Sequence, residues 1–446
     1  MSNRITWRLE NEKIGRLLLH YTIPSVIGTM INSLYNIVDR MYIGHGVGAL
    51  AISGLALTFP IMMILQAFGM LVGVGASTHI AIFLGKKNVG MAEKILGNSF
   101  SLTLIITLLT VTPCMLFMDE LLTAFGGNAE IIPYASDYLY IVIPANIFSS
   151  LNYGYSSIMR ASGYPNKAMV AMIIGATLNI ILDPIFIFWL DMGIRGAAIA
   201  TAISMFISAS FVMIHFVSRK SMIRFHWKYF LPDMKTVGLI VSIGLSPFAM
   251  QMAGSSVSIV MNHSLQTYGG SLALGANAII ISFSMFIIMF VVGIAQGMQP
   301  IIGFNYGAGH LHRVMETLWK VIITSTIIMS IGWICCLFFP EIIVKAFTSD
   351  PEQLAITSNG LKINMMLSFV IGSQITISHF FQSIGKAWKS IFLSLTRQII
   401  FLVPAILILP PFFGLDGVWY AEPLSDLLAA ATAWLFLWYH INRKQK

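Results

Sequence analysis

Twelve apolar runs follow one another along the 446 residues, and each is long enough to cross a bilayer. They cover approximately 17–43, 50–76, 95–118, 131–158, 168–190, 194–217, 237–266, 273–302, 317–340, 354–380, 388–410 and 415–440. A hydrocarbon core about 30 Å thick is spanned by about 20 helical residues. Inside it no water satisfies backbone N–H and C=O groups, so uninterrupted runs of this kind are helices. Only 10% of the residues are charged, against about 25% in a soluble domain. The mean hydropathy is +0.81. The chain is therefore an all-α polytopic membrane protein. The charged head of residues 1–16 precedes a run too long for a signal peptide, and its retention is expected.

Charge divides the connections into two sets. Lys and Arg total 26, and all but Arg40, Arg195, Lys345 and Lys362 lie in the head, in segments near 86–94, 160–167, 218–235, 313–320 and 386–397, or in the tail. Asp119, Glu120, Glu130, Glu341, Asp350 and Glu352 fall in the alternate connections. The positive-inside rule puts both termini in the cytoplasm, as an even number of spans requires. The net charge of +8 thus reports topology and calls for no nucleic-acid partner. The three cysteines sit inside apolar runs without metal-ligand spacing, so they read as small apolar fillers.

The two halves repeat with an offset of about 222 residues. Gly75 and Gly85 align with Gly297 and Gly307, Asp119–Phe125 with Glu341–Phe347, and Gly163 with Gly385. Near Pro24 and Pro247 the offset is about 223. A unit of six spans keeps its orientation on duplication. The expected fold is two six-helix bundles related by a pseudo-two-fold axis along the membrane normal. The expected divisions are 1–217, a basic cytoplasmic linker at 218–236, and 237–446.

Polar residues inside these spans are costly and need a reason. Asn32, Tyr35, Asn36 and Asp39 fall at i, i+3, i+4 and i+7, on one face of the first span. A central Asp costs about 2.5–3.5 kcal/mol to insert, so it faces protein or water. Asp39 is either an ion site or a structural acid paired with Arg40. The seventh span carries a matching neutral stripe, Gln251, Ser255, Ser258 and Asn262, either lining a central cavity or bonding to neighbouring helices. Asn179 and Asp183 share a face of the fifth span just before Pro184, and Thr201 lies in the sixth. Such an oxygen-rich set suits a small hard cation, or a proton shared between two acids that cannot both ionise cheaply. Asp183 could equally brace a bent helix. Arg397 either forms a neutral brace with Glu422 or touches substrate. Met261, Met285 and Met289 are flexible thioethers suited to a promiscuous cavity, or to ordinary packing. No phosphate-binding loop, zinc-protease or nucleophile-elbow motif occurs, so energy for uphill movement would come from an ion gradient.

The runs Tyr35–Gly44, Arg160–Gly163, Asn179–Pro184 and Gly414–Trp419, set in two six-span halves, resemble the multidrug and toxic-compound extrusion (MATE) transporters, closest to the DinF-like and MepA-like bacterial branch. The resemblance covers essentially the whole chain. It implies a multidrug antiporter that exports amphipathic, cationic organic compounds from a bacterial cytoplasmic membrane against H⁺ or Na⁺ entry. It assigns the coupling ion to Asp39, Asn179, Asp183 and Thr201, with Tyr138 and Asn152 in the surrounding polar network. No cofactor or metal beyond a possible Na⁺ is expected, and the partners are substrates and membrane lipids around a monomer. The seventh-span stripe is neutral, which departs from the branch that binds cations in the second half. Two other readings are a lipid-linked oligosaccharide flippase, which would need more cavity cations than Arg397, and an integral-membrane enzyme, for which no reactive cluster is found.

Overall fold

The computed structural model describes residues 2–348 and 350–445, without the side chains of residues 2–4, 36, 49, 444 and 445. The Asn36 side chain, expected in the first-span stripe, thus lies outside the described residues. All regular structure among the described residues is helical. Among the described residues nine helices are long and apolar enough to span by themselves, and the pair Pro351–Asn364 and Ser368–Ser383, bent by 45°, makes a tenth. Met234–Gly307 is one run of 74 residues, about 111 Å at 1.5 Å per residue. It is broken at Gly270 (φ 63°, ψ −161°) and therefore supplies two spans. Ile132–Ala161, at 30 residues, supplies the remaining one. The twelve spans follow the apolar runs, but several helices outrun them. Leu50–Gly85 and the eighth span, ending at Gly307, continue well past the apolar stretch. The charged head is itself a helix, Ser2–Asn11.

Backbone geometry repeats where side chains have diverged. Positive φ occurs at Gly48 and Gly270, at Lys87 and Gly309, at Gly163 and Gly385, and at Gly193 and Gly414. Each pair is separated by about 222 residues. Short helices Met118–Ala124 and Pro340–Lys345 recur at the same offset. So does a tie at the acidic end. Arg195 donates to Asp137 at 2.8 Å in the first half, and Asn359 donates to Asp416 at 2.9 Å in the second.

The halves meet at the basic end through glycine. A Cβ on Gly85 would overlap the Phe304 carbonyl, and one on Gly307 the Ile82 carbonyl. These are the same contact seen from the two sides of the pseudo-axis. Gly75 against Ile240 and Gly244 against Leu71 join the second and seventh spans. Gly293 against Val26 and Gly297 against Thr22 join the first and eighth. Small residues permit this close approach between membrane helices. Further along, Phe68 and Phe248 are in ring contact at 5.0 Å, and Gln251 donates to the Met63 sulfur at 2.7 Å. Beyond Gln251 the seventh-span stripe opens: Ser255 is half-buried, and Ser258 and Asn262 are exposed. On the first span Thr29 is buried and Asn32 exposed. The halves are closed on each other at the basic end, and toward the acidic end the polar faces of the first and seventh spans are exposed.

Candidate cation-binding site in the first half

The fifth span ends as an α-helix at Asp183-Pro184 and continues as a π-turn, Ile185–Trp189. Proline removes an N–H and crowds the preceding turn, and a π-turn widens the helix to accommodate it. The end of the first span seats on this turn, with Gly46 against Ile187 and Phe188. That contact sets the first and fifth spans side by side and brings Asp39 to Asp183.

The two carboxyls stand within hydrogen-bonding reach of each other. Asp183 is 0% exposed and Asp39 7%. Asn179 donates through Nδ2 to Asp183 Oδ1 and to Thr201 Oγ1, both at 3.2 Å. The Thr201 hydroxyl also meets the buried Tyr138 hydroxyl. Three oxygens in this cluster, Asp39 Oδ1, Asp183 Oδ2 and Asn179 Oδ1, are buried with no protein partner. Among the described residues neither aspartate forms a salt bridge. Arg40 instead lies over the Phe59 ring, 5.7 Å from its centre. Two buried carboxyls at this separation cannot share a hydrogen bond unless one carries a proton. With both ionised, the unpaired oxygens form a ligand set for a small hard cation.

Other candidates are placed as follows. Tyr35 is half-buried near Tyr138, and both Tyr35 and Asn32 have contacts of their own. Asn152 is on the same helix as Tyr138, about 21 Å further along its axis, where it accepts from Ser156 at 3.3 Å. It is thus not brought to the cluster. Met261 is buried in the hydrophobic core of the second half, while Met285 is exposed and Met289 half-buried. Asn262, next to Met261, points elsewhere because successive helical residues differ by about 100°.

Arg397 belongs to a different arrangement. It donates through Nε to Asp426 at 2.6 Å and through a terminal nitrogen to Glu422 at 3.4 Å. Its tighter partner is Asp426, not Glu422, and the three groups carry one net negative charge when ionised. With the offset of about 222 residues these positions fall on Gly175, Ala200 and Ser204. That is one turn from Asn179 and beside Thr201. The same helix pair thus carries acids in both halves, with an arginine only in the second.

The MatE family profile matches residues 24–185 and again 247–407. The chain belongs to the MatE family. Membership makes it a membrane transporter rather than an enzyme. It is 27% identical over 444 residues to the multidrug export protein MepA of Staphylococcus haemolyticus, covering 100% of this chain and 97% of that one. It is 26% identical over 438 residues to MepA of Staphylococcus aureus strain MSSA476, covering 98% and 96%. Among solved structures, an outward-facing multidrug-resistance MATE transporter superposes with a TM-score of 0.92 at 25% identity, covering 98% of both chains. A MATE in its bent conformation gives 0.93 at 25% identity, covering 98% of both. A transporter of the wider superfamily from Pyrococcus furiosus gives 0.92 at 25% identity, again covering 98% of both. The two profile matches begin at Pro24 and Pro247, the offset that pairs Asp39 with Asn262.

The sequence also held a signal for the closed end. Gly293 and Gly297, and Gly303 and Gly307, are spaced four apart, the pattern of close helix approach. The N-terminal helix left a weaker trace, Ile5 and Leu9 at i and i+4 in a charged segment.

Proposed function

We propose that this protein exports amphipathic organic cations from a bacterial cell in exchange for entering H⁺ or Na⁺. The observation that carries the reading is the Asp39–Asp183 pair, buried in a transporter half with no salt-bridge partner among the described residues. The MepA relatives are named multidrug export proteins, which supports export of drugs. Asp39, Asn179, Asp183 and Thr201 hold the coupling ion, and Tyr138 and Tyr35 line the surrounding network. Ser255, Ser258 and Asn262 line the cavity between the halves. The protein works as a monomer in the cytoplasmic membrane, with both termini in the cytoplasm, and requires no cofactor besides the coupling ion.

The mechanism follows from where the first span makes contact. At Asp39 it meets the fifth span, and at Thr22 and Val26 it meets the eighth span of the other half. An ion or proton between the two carboxyls removes their repulsion and draws the first and fifth spans together. Pro24 lies inside the inter-half contact, between Thr22 and Val26, where a bend of the helix carries movement of the Asp39 end into that contact. Ion binding from the outside thereby alters the inter-half contact and displaces substrate outward. Each charge entering down the potential contributes about 2.3 kcal/mol per 100 mV.

The test is drug accumulation in an efflux-deficient host carrying wild type, Asp39→Asn or Asp183→Asn. Wild type should lower accumulation and both variants should not. Replacing sodium, and separately adding an uncoupler, identifies the ion. Unimpaired export by both variants removes the site from the mechanism.

A further inference from the structure

The helix Ser2–Asn11 is bound to both halves at the basic end. Arg313, at the start of the ninth span, donates to the Leu9 carbonyl at 3.1 Å and to the Glu12 carbonyl at 2.7 Å. Asn305, at the end of the eighth span, donates to the same Leu9 carbonyl at 3.2 Å. Arg313 Nε in turn donates to Asn305 Oδ1 at 3.0 Å, which fixes both donors. The Leu9 carbonyl is among the last of the helix and the Glu12 carbonyl follows its end, where partners within the helix run out and the dipole is negative. A forked cation fits them well. Towards the first half, Ile5 packs on Gly163, and Glu10 lies 3.8 Å from Lys87. Leu9 is 2% exposed and joins the core that also contains Leu84 of the second span and Phe304 of the eighth.

The segment ahead of the seventh span mirrors this. Asn98, on the third span, donates to the Tyr229 carbonyl at 2.9 Å and accepts from the Asp233 N–H at 2.6 Å. Ser101 donates to the Phe230 carbonyl. The segment leading into each half is thus held by polar side chains of the opposite half. The linker at 218–233 must cross for chain continuity. The N-terminal helix is under no such requirement, and its crossing is specified by Arg313 and Asn305.

We propose that Arg313 is a positioning residue of the transport cycle, and that with Asn305 it holds the N-terminal helix as a strap keeping the basic end closed. This rests on the alternating-access reading above. To open that end, the halves must part between Gly85 and Phe304, and a helix fixed to both cannot follow both. The bonds to Arg313 break, and the helix leaves with the first span to which it is joined.

The experiment measures distances between spin labels on the full-length protein in lipid vesicles, with Cys114, Cys335 and Cys336 replaced by alanine. Labels at Lys86 and His312, both exposed, report the separation of the halves. A label at exposed Trp7 reports the strap. Arg313→Ala should raise the ratio of long to short Lys86–His312 distances about tenfold, the effect of a lost charge-assisted bond. Arg313→Lys keeps the charge without the fork and should give a smaller increase. In protein without either change, driven open by ion or substrate, Trp7–His312 should lengthen and Trp7–Lys86 should not. Unchanged distributions in both Arg313 variants overturn the proposal. So does a Trp7 label that keeps both its distances while Lys86–His312 lengthens. Export assays on the same protein separate the two ideas. Absence of wild-type export refutes the transport reading, while the distances still decide the strap.

Discussion

Replacing Asp183 by Asn separates a coupling role from a bracing role, because the two predict opposite effects on stability. In the structure Asp183 receives one hydrogen bond, from Asn179, and keeps one oxygen without a partner. Its carboxyl faces that of Asp39. Two unit charges about 4 Å apart repel by about 4 kcal/mol at an effective dielectric near 20. Substitution by Asn removes that repulsion and retains the acceptor for Asn179. It also adds an N–H that can donate to the unpaired Asp39 oxygen, worth about 1.5–3 kcal/mol for a charged acceptor. The variant should therefore melt no lower than wild type in detergent. Its ethidium export from loaded cells should fall to the level of cells without the protein, since no second acid remains to share the proton or complete the ligand set. Melting curves of purified protein and export rates normalised to membrane abundance give the two readouts. A structural brace behaves differently: the melting temperature and the abundance fall, and export per molecule persists. Wild-type export per molecule, or a loss of export that only follows a loss of folded protein, refutes the reasoning.

Three further outcomes follow from the geometry. Arg397→Ala leaves Asp426, which is 2% exposed, and Glu422 without their cation; breaking a buried pair costs about 3–5 kcal/mol, so a clear drop in melting temperature is expected, with partial recovery when Asp426→Ala and Glu422→Gln are added. An unchanged melting curve for the single variant would show that the cluster is already open to water. Gly244→Ala places a methyl against the Leu71 carbonyl and should cost about 1–3 kcal/mol, read as increased reactivity of a cysteine introduced at Lys86 toward a membrane-impermeant thiol reagent in inside-out vesicles. Asp233, outside the spans, accepts from the Thr236 hydroxyl and N–H and pairs with Lys94, which lowers its carboxyl to about 2. A lowered acid contributes stability above its unfolded value near 4 and loses it as pH falls toward about 2. Limited proteolysis of the 218–233 segment should accordingly be constant from pH 5 to pH 8 and rise only below about pH 4, whereas a rise near pH 6 would assign the docking to another group.

The spans were legible because membrane burial writes itself into sequence directly. A run of apolar residues long enough to cross can do little else. The pairing of Asp39 with Asp183 was legible for a related reason: a carboxylate in such a run must find a polar partner, and each lies on a polar helix face. The pairing of Arg397 with Glu422, at 3.4 Å, was legible too, but its tighter bond to Asp426, at 2.6 Å, was not. Glu422 and Asp426 share a face, and which one the guanidinium approaches more closely depends on the π-turn at Thr396–Leu402, which rotates it relative to a regular helix. The N-terminal helix was hidden because ten residues are too few to be helical alone. Its stability comes from Arg313 and Asn305, far away in the chain, and nothing in residues 1–16 records them. Asn152 shows the limit of sharing a helix: polar residues on one rod can stand many turns apart.

The acids in the two halves differ in where their counter-charge resides. In the second half it is covalently attached, as Arg397, and remains in place through every step. In the first half, on the proposed coupling, it comes from solution. On the proposed coupling, ion binding changes the charge of the Asp39–Asp183 pair, while Arg397 keeps its guanidinium against Asp426 and Glu422. The two bundles, alike in backbone, are on that reading unequal partners: one carries its counter-charge covalently, and the other takes it up from the medium on each turnover. On that reading the ion gradient acts on the fold through one half alone.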